Sequence, residues 1–299
     1  MNNKFICPNC AKNLEFIKNK CLCSLCGAYY QINNGIISFV NNDNDCKKNN
    51  FDDNLCKSLF KMEKKHFWHT GRKEIIWQIL NFFTKEKINN LKMLDIGCGN
   101  GNIPHYLKTK GINIEGADTS LSALNFCKKR VDIPLYQIDP KKQTLPFLSE
   151  SYDIVGLFDV LEHVEKDQSL LSDVFRICKK EGKIIITVPA NKYLWSYFDI
   201  ISGHKRRYSK NDLIIKLEKA GFKIEKISFY MFFLLPFMFF RKLKFPANKN
   251  KNGQFDSLPE IKTIPIINDI FLLILKLEKK LLLRFNLPFG SSIICIAKK

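Results

Sequence analysis

The chain has 299 residues, a length that predicts about two domains. Hydrophobic residues make up 45% and charged residues 26%, so the chain can bury a sizeable core and is not disordered throughout. Lysine and arginine number 48 against 29 acidic residues, a net charge of +19. The middle third is neutral, whereas residues 201–299 carry 20 basic and 7 acidic residues. The longest apolar run, Phe229–Phe240, is shorter than the ~20 residues that span a bilayer, so we expect no transmembrane helix.

Cysteines concentrate near the N-terminus, where five of the eleven fall within the first 26 residues. The opening MNNKFICPNC does not look like a secretory signal, so we expect a reducing cytoplasm, where clustered cysteines bind metal or stay free. Cys7-x2-Cys10 and Cys23-x2-Cys26 are separated by twelve residues. Two such pairs supply four thiolates for one structural Zn²⁺, and the one-residue gap from Cys21 to Cys23 suits a ligand less well. So short a segment needs the metal to fold.

Residues 4–40 resemble the small zinc-ribbon proteins that activate tRNA and protein methyltransferases. The resemblance rests on the CPNC and CSLC knuckles and on YQINNGI at Tyr30–Ile36, which it predicts as a strand. It implies a structural metal with four protein ligands. The polar run Asn41–Asn50 indicates a linker. We therefore predict a zinc ribbon over residues 1–40, a linker over 41–54 and a second domain over 55–299.

From residue 91 the predicted elements alternate between strand and helix. The predicted strands are Lys92–Ile96, Ile112–Ala117, Leu135–Ile138, Asp153–Phe158, Lys183–Val188, Phe222–Tyr230 and Ser292–Lys298. One helix follows the first strand to Lys110, a second spans Ser120–Arg130 with Ser120 as N-cap, and a third spans Ser169–Lys180. This alternation predicts a parallel α/β sheet with helices on both faces and a ligand crevice at the carboxyl ends of the strands.

The first of these strands ends in Gly97-Cys98-Gly99-Asn100-Gly101, a loop whose backbone amides can approach a nucleotide-like ligand. The dinucleotide fingerprint G-x-G-x-x-G fails because position 102 is asparagine. Asp118 ends the second strand about 20 residues further on, where a carboxylate suits a ribose diol.

G-x-G-x-G preceded by Asp95 resembles motif I of the class I S-adenosylmethionine-dependent methyltransferases. Asp139 resembles that family's acidic residue at the adenine amino group, and LPF at Leu145–Phe147 and DVLEHV at Asp159–Val164 match further motifs across about residues 70–230. The resemblance implies a Rossmann-like, seven-stranded methyltransferase sheet. The cofactor-binding residues it implies are Asp95, Gly97, Gly99, Gly101, Asp118, Asp139 and Asp159.

Methyl transfer by such an enzyme is a direct displacement, in which the protein mainly aligns the acceptor, the methyl group and the sulfonium. A base is needed only for a hydroxyl or another protonated acceptor. His163, at the mouth of the fourth strand, is one candidate base, although it could instead hydrogen-bond the loop.

The loop after the fifth strand contains Trp195 and GHKRRY at residues 203–208. His204 is a second catalytic candidate. Arg206, Arg207, Tyr208 and Trp195 are candidate acceptor-binding residues, because guanidinium binds phosphate or carboxylate bidentately. The alternative is a solvated basic turn. Together with His66-Phe67-Trp68-x3-Arg72 the loop resembles bacterial methyltransferases of the ubiquinone-biosynthesis-like (type 11) group, and we place His66 and Trp68 in a lid or packing helix.

An insertion over about residues 231–288 precedes the last strand. It contains the apolar Met231–Phe240, a polar stretch at Ala247–Gln254, and the apolar Ile264–Phe285 with interspersed lysines. Large aromatics beside cations suit a helix in a membrane interface, a lid packed on the core, or a dimer face.

These features together predict S-adenosylmethionine-dependent methyl transfer to a small-molecule or lipid-linked, anionic acceptor, by a cytoplasmic enzyme at or near the membrane surface. An RNA methyltransferase is the alternative, because basic charge attracts phosphates. Against it, the position after the fourth strand reads FDVL and lacks the Asn/Asp-Pro-Pro-Tyr motif common among RNA-base enzymes. An inactive zinc-ribbon adaptor is a third possibility, disfavoured by the intact glycine loop.

Overall fold

A computed structural model describes residues 4–40, 53–84, 88–142, 144–244 and 264–299. Eleven strands from these ranges form one sheet. They are β1 (Glu15–Ile17), β2 (Lys20–Leu22), β3 (Tyr29–Asn33), β4 (Ile36–Ser38), β5 (Lys92–Ile96), β6 (Asn113–Asp118), β7 (Leu135–Gln137), β8 (Tyr152–Phe158), β9 (Cys178–Pro189), β10 (Lys223–Tyr230) and β11 (Ser292–Lys298). Their order across the sheet is β1-β2-β3-β4-β7-β6-β5-β8-β9-β11-β10.

Helices cover both faces of this sheet. Those in the described ranges are α1 (Asp53–Met62), α2 (Phe67–Thr84), α3 (Asn102–Thr109), α4 (Leu121–Arg130), α5 (Asp167–Ile177), α6 (Tyr197–Ile201), α7 (Lys210–Lys219), α8 (Leu235–Lys244) and α9 (Pro265–Arg284). One buried cluster joins α5 and α7 to the sheet through side chains such as Val174 and Leu213. A second joins α2, α3 and α9 through Ile79, Leu107 and Leu282. The fold is therefore the Rossmann-like α/β architecture that the alternating elements predict.

The central strands are parallel, and their side chains alternate between the two cores. Leu94 and Ile96 of β5 enter the first core, whereas Met93 enters the second. β11 then runs antiparallel to both β9 and β10. β5 and β11 have the predicted bounds, because their apolar runs are bounded by turn or polar residues on either side.

The predicted zinc-ribbon segment, called the ribbon below, continues the sheet and adds four strands to the seven, β5–β11, that follow it in the chain. β4 pairs in parallel with β7, with Ile36 opposite Leu135, so β1–β4 extend the sheet to eleven strands. Phe5 is buried, and its ring lies 5.2 Å from that of Tyr136 and 6.0 Å from that of Phe147. The ribbon covers the edge of β7, whose backbone groups would otherwise remain unpaired.

The predicted strand Tyr30–Ile36 is instead a hairpin. Asn33 of β3 lies opposite Ile36 of β4, and the two residues between them have positive φ, 51° for Asn34 and 73° for Gly35. Asn-Gly favours this two-residue turn because both residues tolerate the left-handed region. The chain therefore reverses at residue 34, and the strand that reaches the main sheet begins after the turn.

The insertion before β11 contributes α8 and α9. The predicted polar stretch at Ala247–Gln254 and residues 41–52 of the predicted linker 41–54 lie outside the described residues. Residues 53 and 54, which the prediction also gave to the linker, instead begin α1. α9 packs lengthwise on α2: Lys279 pairs with Glu74 at 2.7 Å, and a Cβ on Gly71 would lie 2.4 Å from Leu275. Among the described helices, none is long and apolar enough to cross a bilayer.

Candidate active site

A glycine loop opens at the carboxyl end of β5. Gly97, Gly99 and Gly101 all have positive φ, between 52° and 77°. A Cβ on Gly97 would lie 2.4 Å from Val160, and one on Gly101 would lie 2.6 Å from the Cys127 sulfur. Gly99 has open space beside it. Two glycines therefore permit close packing, whereas the middle one leaves its backbone accessible to a ligand.

Acidic side chains follow the neighbouring strands at the same edge of the sheet. Asp118, the last residue of β6, accepts hydrogen bonds from the backbone N–H groups of Gly99 and Ser120, each at 2.8 Å. Burial raises its pKa despite these bonds. Asp139 lies two residues beyond β7 and accepts from Lys141 N–H at 2.9 Å. The Asp118 carboxylate thus lies against the glycine loop, whereas Asp139 follows the next strand at the same edge of the sheet.

A cation from α2 faces the carboxyl groups at the ends of β5 and β8. Arg72 Nη2 lies 3.1 Å from Asp159 Oδ2, and the Trp68 ring stacks on the guanidinium. Asp95 is buried, with one oxygen lacking a hydrogen-bond partner among the described residues. Burial raises the pKa of Asp95 strongly, whereas the charge of Arg72 lowers it. Sequence reasoning noted Arg72 within the HFW pattern but did not assign it to the site.

Glu162 is a functional candidate that the sequence analysis did not identify. Its side chain is fully buried, and neither carboxyl oxygen has a hydrogen-bond partner among the described residues. Burial and the nearby charge of Asp159 raise its pKa well above the usual range. Asp159 has a φ of 57°, a backbone conformation that is strained for a residue with a side chain. The DVLEHV motif is the sequence signal that contains both residues.

The two candidate histidines come together around Glu162. Their rings lie 4.8 Å apart, between centroids, and His204 Nε2 lies 4.0 Å from Glu162 Oε1. His204 Nδ1 is 2.8 Å from Asp199 Oδ1. Part of the His163 side chain reaches the surface. The loss of hydration around the rest of its ring and the nearby charge of His204 lower its pKa to about 4. Imidazole beside an orienting carboxylate is the arrangement of a general base.

The structure corrects the predicted acceptor-binding role of Arg207 and Tyr208. Arg207 is buried and donates to both oxygens of Asp199, at 2.7 and 2.9 Å, and to the Ala190 carbonyl. Burial acts to raise the pKa of Asp199, but hydrogen bonds from His204 and Arg207 outweigh it and lower that pKa to about 2. Tyr208 is also buried and donates to Asp167. These donors satisfy buried acceptors and are not offered to a ligand.

The remaining two predicted acceptor-binding residues lie nearer the surface. Arg206 pairs with Asp167 at 3.0 Å and donates to the Glu165 carbonyl. Trp195 is half-buried at the end of a short 3-10 helix, Lys192–Leu194. The loop therefore uses its arginines to anchor α6 and the start of α5. In the sequence, Ser196-x2-Asp199 has the spacing of a capping box, which predicts the start of a helix. This spacing does not indicate that Asp199 also pairs with Arg207.

Four cysteine sulfurs converge in the ribbon. Those of Cys7 and Cys26 lie 3.6 Å apart, those of Cys10 and Cys23 lie 3.4 Å apart, and all four lie within 4.8 Å of one another. A tetrahedral zinc with Zn–S bonds of about 2.3 Å requires sulfur separations of about 3.8 Å. A backbone hydrogen bond from Cys26 lowers the pKa of the Cys23 thiol to about 7. The four thiols therefore fit a zinc ion, and Cys21 lies outside the cluster.

The sequence profile of a family described as "Methyltransferase domain" matches residues 67–227, more than half of the chain. The chain therefore belongs to this family, and it is an S-adenosylmethionine-dependent methyltransferase. The ubiquinone/menaquinone biosynthesis C-methyltransferase UbiE of Campylobacter jejuni is 26% identical over 187 residues, which cover 51% of this chain and 78% of the relative. A ubiquinone biosynthesis O-methyltransferase of Actinobacillus pleuropneumoniae is 25% identical over 132 residues, 40% of this chain and 56% of the relative.

Solved structures share the fold. A Haemonchus contortus phosphoethanolamine N-methyltransferase, in complex with S-adenosylmethionine, superposes with a TM-score of 0.54 at 18% identity, over 85% of this chain and 58% of that one. A Haloferax volcanii complex between the Trm112 methyltransferase activator and a methyltransferase gives a TM-score of 0.51 at 16% identity, over 82% and 94% of the two chains. At these identities the likeness establishes the fold alone.

We predict that Arg72→Met destabilises the protein by about 3–5 kcal/mol at neutral pH, because it leaves buried carboxylates without their cation. Folding already raises the pKa values of Asp95 and Glu162, and without the opposing charge of Arg72 it raises them further above their unfolded values of about 4. Such groups destabilise the folded state as the pH rises, so the deficit relative to the unmodified protein should shrink as the pH falls toward about 4.

Urea unfolding at about pH 7 and about pH 4 measures both deficits. Arg72→Lys, which keeps the positive charge, serves as the matched control and should recover part of the loss. An equal deficit at the two pH values would contradict the electrostatic role.

Proposed function

We propose that this methyltransferase transfers the methyl group of S-adenosylmethionine to a hydroxyl group of a small-molecule acceptor, with His204 receiving the proton. The observation that carries this proposal is the Asp199–His204 pair, which lies beside His163 and the buried Glu162 at the carboxyl end of β8. A hydroxyl is a weak nucleophile until its proton is removed, so a base at this place has a chemical purpose.

The cofactor is assigned to the glycine loop and the acidic strand ends. In this arrangement the backbone of Gly97–Gly101 lies against the cofactor, Asp118 accepts from the ribose hydroxyls, and Asp139 lies at the adenine. Three observations support the fit: the open side of Gly99, the remaining acceptor capacity of the Asp118 carboxylate, and the orphan oxygen of Asp95. The bound cofactor would supply an electrophilic methyl group on a sulfonium, and the residues named here would orient it.

His204 is the better candidate base of the two histidines. Because Asp199 accepts from Nδ1, the proton is fixed on that nitrogen and Nε2 is left with its lone pair. Protonation of His163 is disfavoured, since its pKa is lowered to about 4, so it would accept a proton from a hydroxyl poorly at neutral pH. In this proposal His163 instead packs against the His204 ring and limits its motion.

The charges at the site favour a neutral acceptor over the anionic one that the sequence suggested. Asp95, Asp159 and Glu162 are opposed there by Arg72, while Arg207 is already paired with Asp199. An anionic group would meet the Asp159 carboxylate, and it would find no unpaired cation among these groups because Arg72 and Arg207 already have carboxylate partners. The similarity to enzymes named for ubiquinone biosynthesis, including an O-methyltransferase, supports a hydroxyl-bearing small molecule, and a lipid-linked one is within this class.

We also propose that the ribbon holds one structural zinc ion on Cys7, Cys10, Cys23 and Cys26. Because four protein thiolates complete a tetrahedral site, the metal would leave no position for a substrate. Its contribution would be to folding: the ribbon strands extend the main sheet through β4 and β7, and Ser38 Oγ donates to the Gln137 side chain at 2.8 Å.

For the cofactor site, we predict that Asp118→Ala weakens S-adenosylhomocysteine binding about 10–100-fold, the effect of about 1.5–3 kcal/mol from lost charge-assisted hydrogen bonds. Isothermal titration calorimetry measures the change, and Asp132→Ala, an exposed aspartate, is the control. Because Asp118 also accepts from the glycine loop, the substitution alone does not separate a lost ribose contact from a displaced loop. A 2′-deoxy analogue of S-adenosylhomocysteine, tested on both proteins, completes a double-mutant cycle that makes this separation. The analogue should bind the unmodified protein more weakly than S-adenosylhomocysteine does. On Asp118→Ala the two compounds should bind with about equal affinity. An undiminished preference for the ribose hydroxyl in Asp118→Ala would overturn the assignment.

For the base, we predict that His204→Gln slows methyl transfer about 10²–10⁴-fold while S-adenosylmethionine affinity stays unchanged. The assay incubates enzyme and isotopically labelled cofactor with cell extract and follows label by mass spectrometry in the small-molecule, lipid, protein and RNA fractions. His105→Gln, an exposed histidine on α3, is the control and should retain activity. Full activity in His204→Gln would exclude this base, and label found mainly in RNA would exclude the proposed acceptor.

For the metal, we predict one zinc per chain in protein purified without chelator, as measured by inductively coupled plasma mass spectrometry. Cys23→Ser should lose the zinc and lower the melting temperature of the whole sheet. Cys21→Ser is the matched control, because Cys21 is a neighbouring buried cysteine outside the cluster, and it should retain the metal. A zinc-free Cys21→Ser, or a zinc-bound Cys23→Ser, would contradict the ligand set.

A further inference from the structure

Helix α9 is apolar on two opposite faces. Its inner face packs on α2 and the sheet through Leu275, Leu282 and the buried Glu278, whose carboxylate accepts from the backbone N–H groups of Met231 and Phe233. Its outer face carries five aliphatic side chains spaced three or four residues apart, which places them in one row. This outer row is Ile266, Ile270, Leu273, Leu277 and Leu281, with exposed fractions of 73%, 51%, 59%, 55% and 37%.

Aromatic side chains of α8 enlarge this apolar surface. Phe237, Phe239 and Phe240 are exposed, and the Phe237 ring lies 4.8 Å from that of Phe271 on α9. This contact joins the two helices. We call the outer row together with these three phenylalanines the C-terminal apolar patch. Large contiguous apolar patches are rare on soluble monomers and mark contact sites.

Basic side chains border the outer row. Lys276, Lys280 and Arg284 are exposed on the same helix, against one exposed acidic residue of α9, Asp269. The charge of residues 201–299 as a whole has the same sign, with 20 basic and 7 acidic residues. A partner for this patch must therefore be apolar at its centre and negative around it.

We propose that the C-terminal apolar patch docks on the surface of a bilayer that contains anionic lipid, with α9 lying in the plane of the interface. The outer row would enter the boundary between headgroups and acyl chains, and the lysines and arginine would reach the lipid phosphates. The basic charge thus adds to the apolar attachment.

The spacing of the outer row disfavours a second copy of the chain as the occupant. Ile266, Ile270, Leu273 and Leu277 follow the four-three-four spacing of a helix–helix seam. Continued by three and four residues, that spacing reaches Lys280 and Arg284. Parallel self-association along the seam would bring like charges together, and antiparallel association would set these cations against the aliphatic residues at the start of the partner helix. At a lipid surface the same two side chains extend to the phosphates.

Docking by α9 would also place the start of α2 near the lipid. Asn268 accepts from the Phe67 N–H at 2.8 Å and donates to the Lys65 carbonyl, so α9 holds the start of α2, which carries Arg72 at the site. This consequence, that an amphiphilic acceptor reaches the site from the membrane, rests on the proposed function. The docking itself does not.

The experiment is flotation of the full-length protein with vesicles of phosphatidylcholine, with and without phosphatidylglycerol, at low and high salt. We expect binding to the phosphatidylglycerol vesicles at low salt that weakens as salt screens the charges. Ile270→Ser/Leu277→Ser should reduce that binding about tenfold or more, because two large apolar side chains no longer enter the interface. Lys276→Glu/Lys280→Glu should also reduce it, most strongly at low salt.

Ile17→Ser/Ile215→Ser, two exposed isoleucines far from the patch in sequence, is the matched control and should bind vesicles like the unmodified protein. The patch variants should retain the melting temperature and the S-adenosylhomocysteine affinity of the unmodified protein. These two measurements show that the variants are folded, and they distinguish a failure of docking from a failure of the proposed function. Absence of binding to anionic vesicles at low salt would overturn the proposal. A second result would also overturn it: light scattering shows a dimer, and Ile270→Ser/Leu277→Ser converts this dimer to monomer without any change in vesicle binding.

Discussion

The ion pair between Arg72 and Asp159 is the interaction on which the candidate site depends. Parallel strands direct their carboxyl ends to one edge of the sheet, and here that edge collects the carboxyl groups of Asp95, Asp159 and Glu162. Buried carboxylates repel one another and lose hydration, so they need a cation held in place. Arg72 supplies it from α2, with its guanidinium stacked on Trp68. The position of α2 is therefore an electrostatic requirement of the site as well as a packing preference.

The opposite edge of the sheet meets a different requirement. β7 is a three-residue strand whose outer edge would be unpaired without β4, and the ribbon that supplies β4 is too small to fold on its own core. Phe5 joins the two by entering the core of the larger domain. The ribbon therefore shares the core of the larger domain, and β7 gains a hydrogen-bonded neighbour from the ribbon.

Local patterns predicted much of this fold, and long-range pairings account for what they missed. The bounds of β5 and β11 and the cap by Ser120, which accepts from Ala123 N–H, follow from residues adjacent in sequence. The pairing of β4 with β7 joins segments about a hundred residues apart, and no periodicity encodes it. Composition also does not show that Arg207 pairs with Asp199. A basic loop is equally compatible with arginines that face solvent and with arginines that pair with a buried carboxylate. The Asn-Gly hairpin in the ribbon was readable from sequence, since that dipeptide is a turn signal in its own right.

The insertion connects the outer surface of the protein to the site through rigid contacts. Gly71 lets α2 approach the Leu275 side chain closely, and a Cβ at that position would force this side chain to move. Glu74 pairs with Lys279 one turn further along α2. Arg72 lies between these two contacts, so a displacement of α9 relative to the sheet would move its guanidinium relative to Asp159. Because a charge pair weakens as its separation grows, the packing of α9 on α2 and the charge balance of the site are set together.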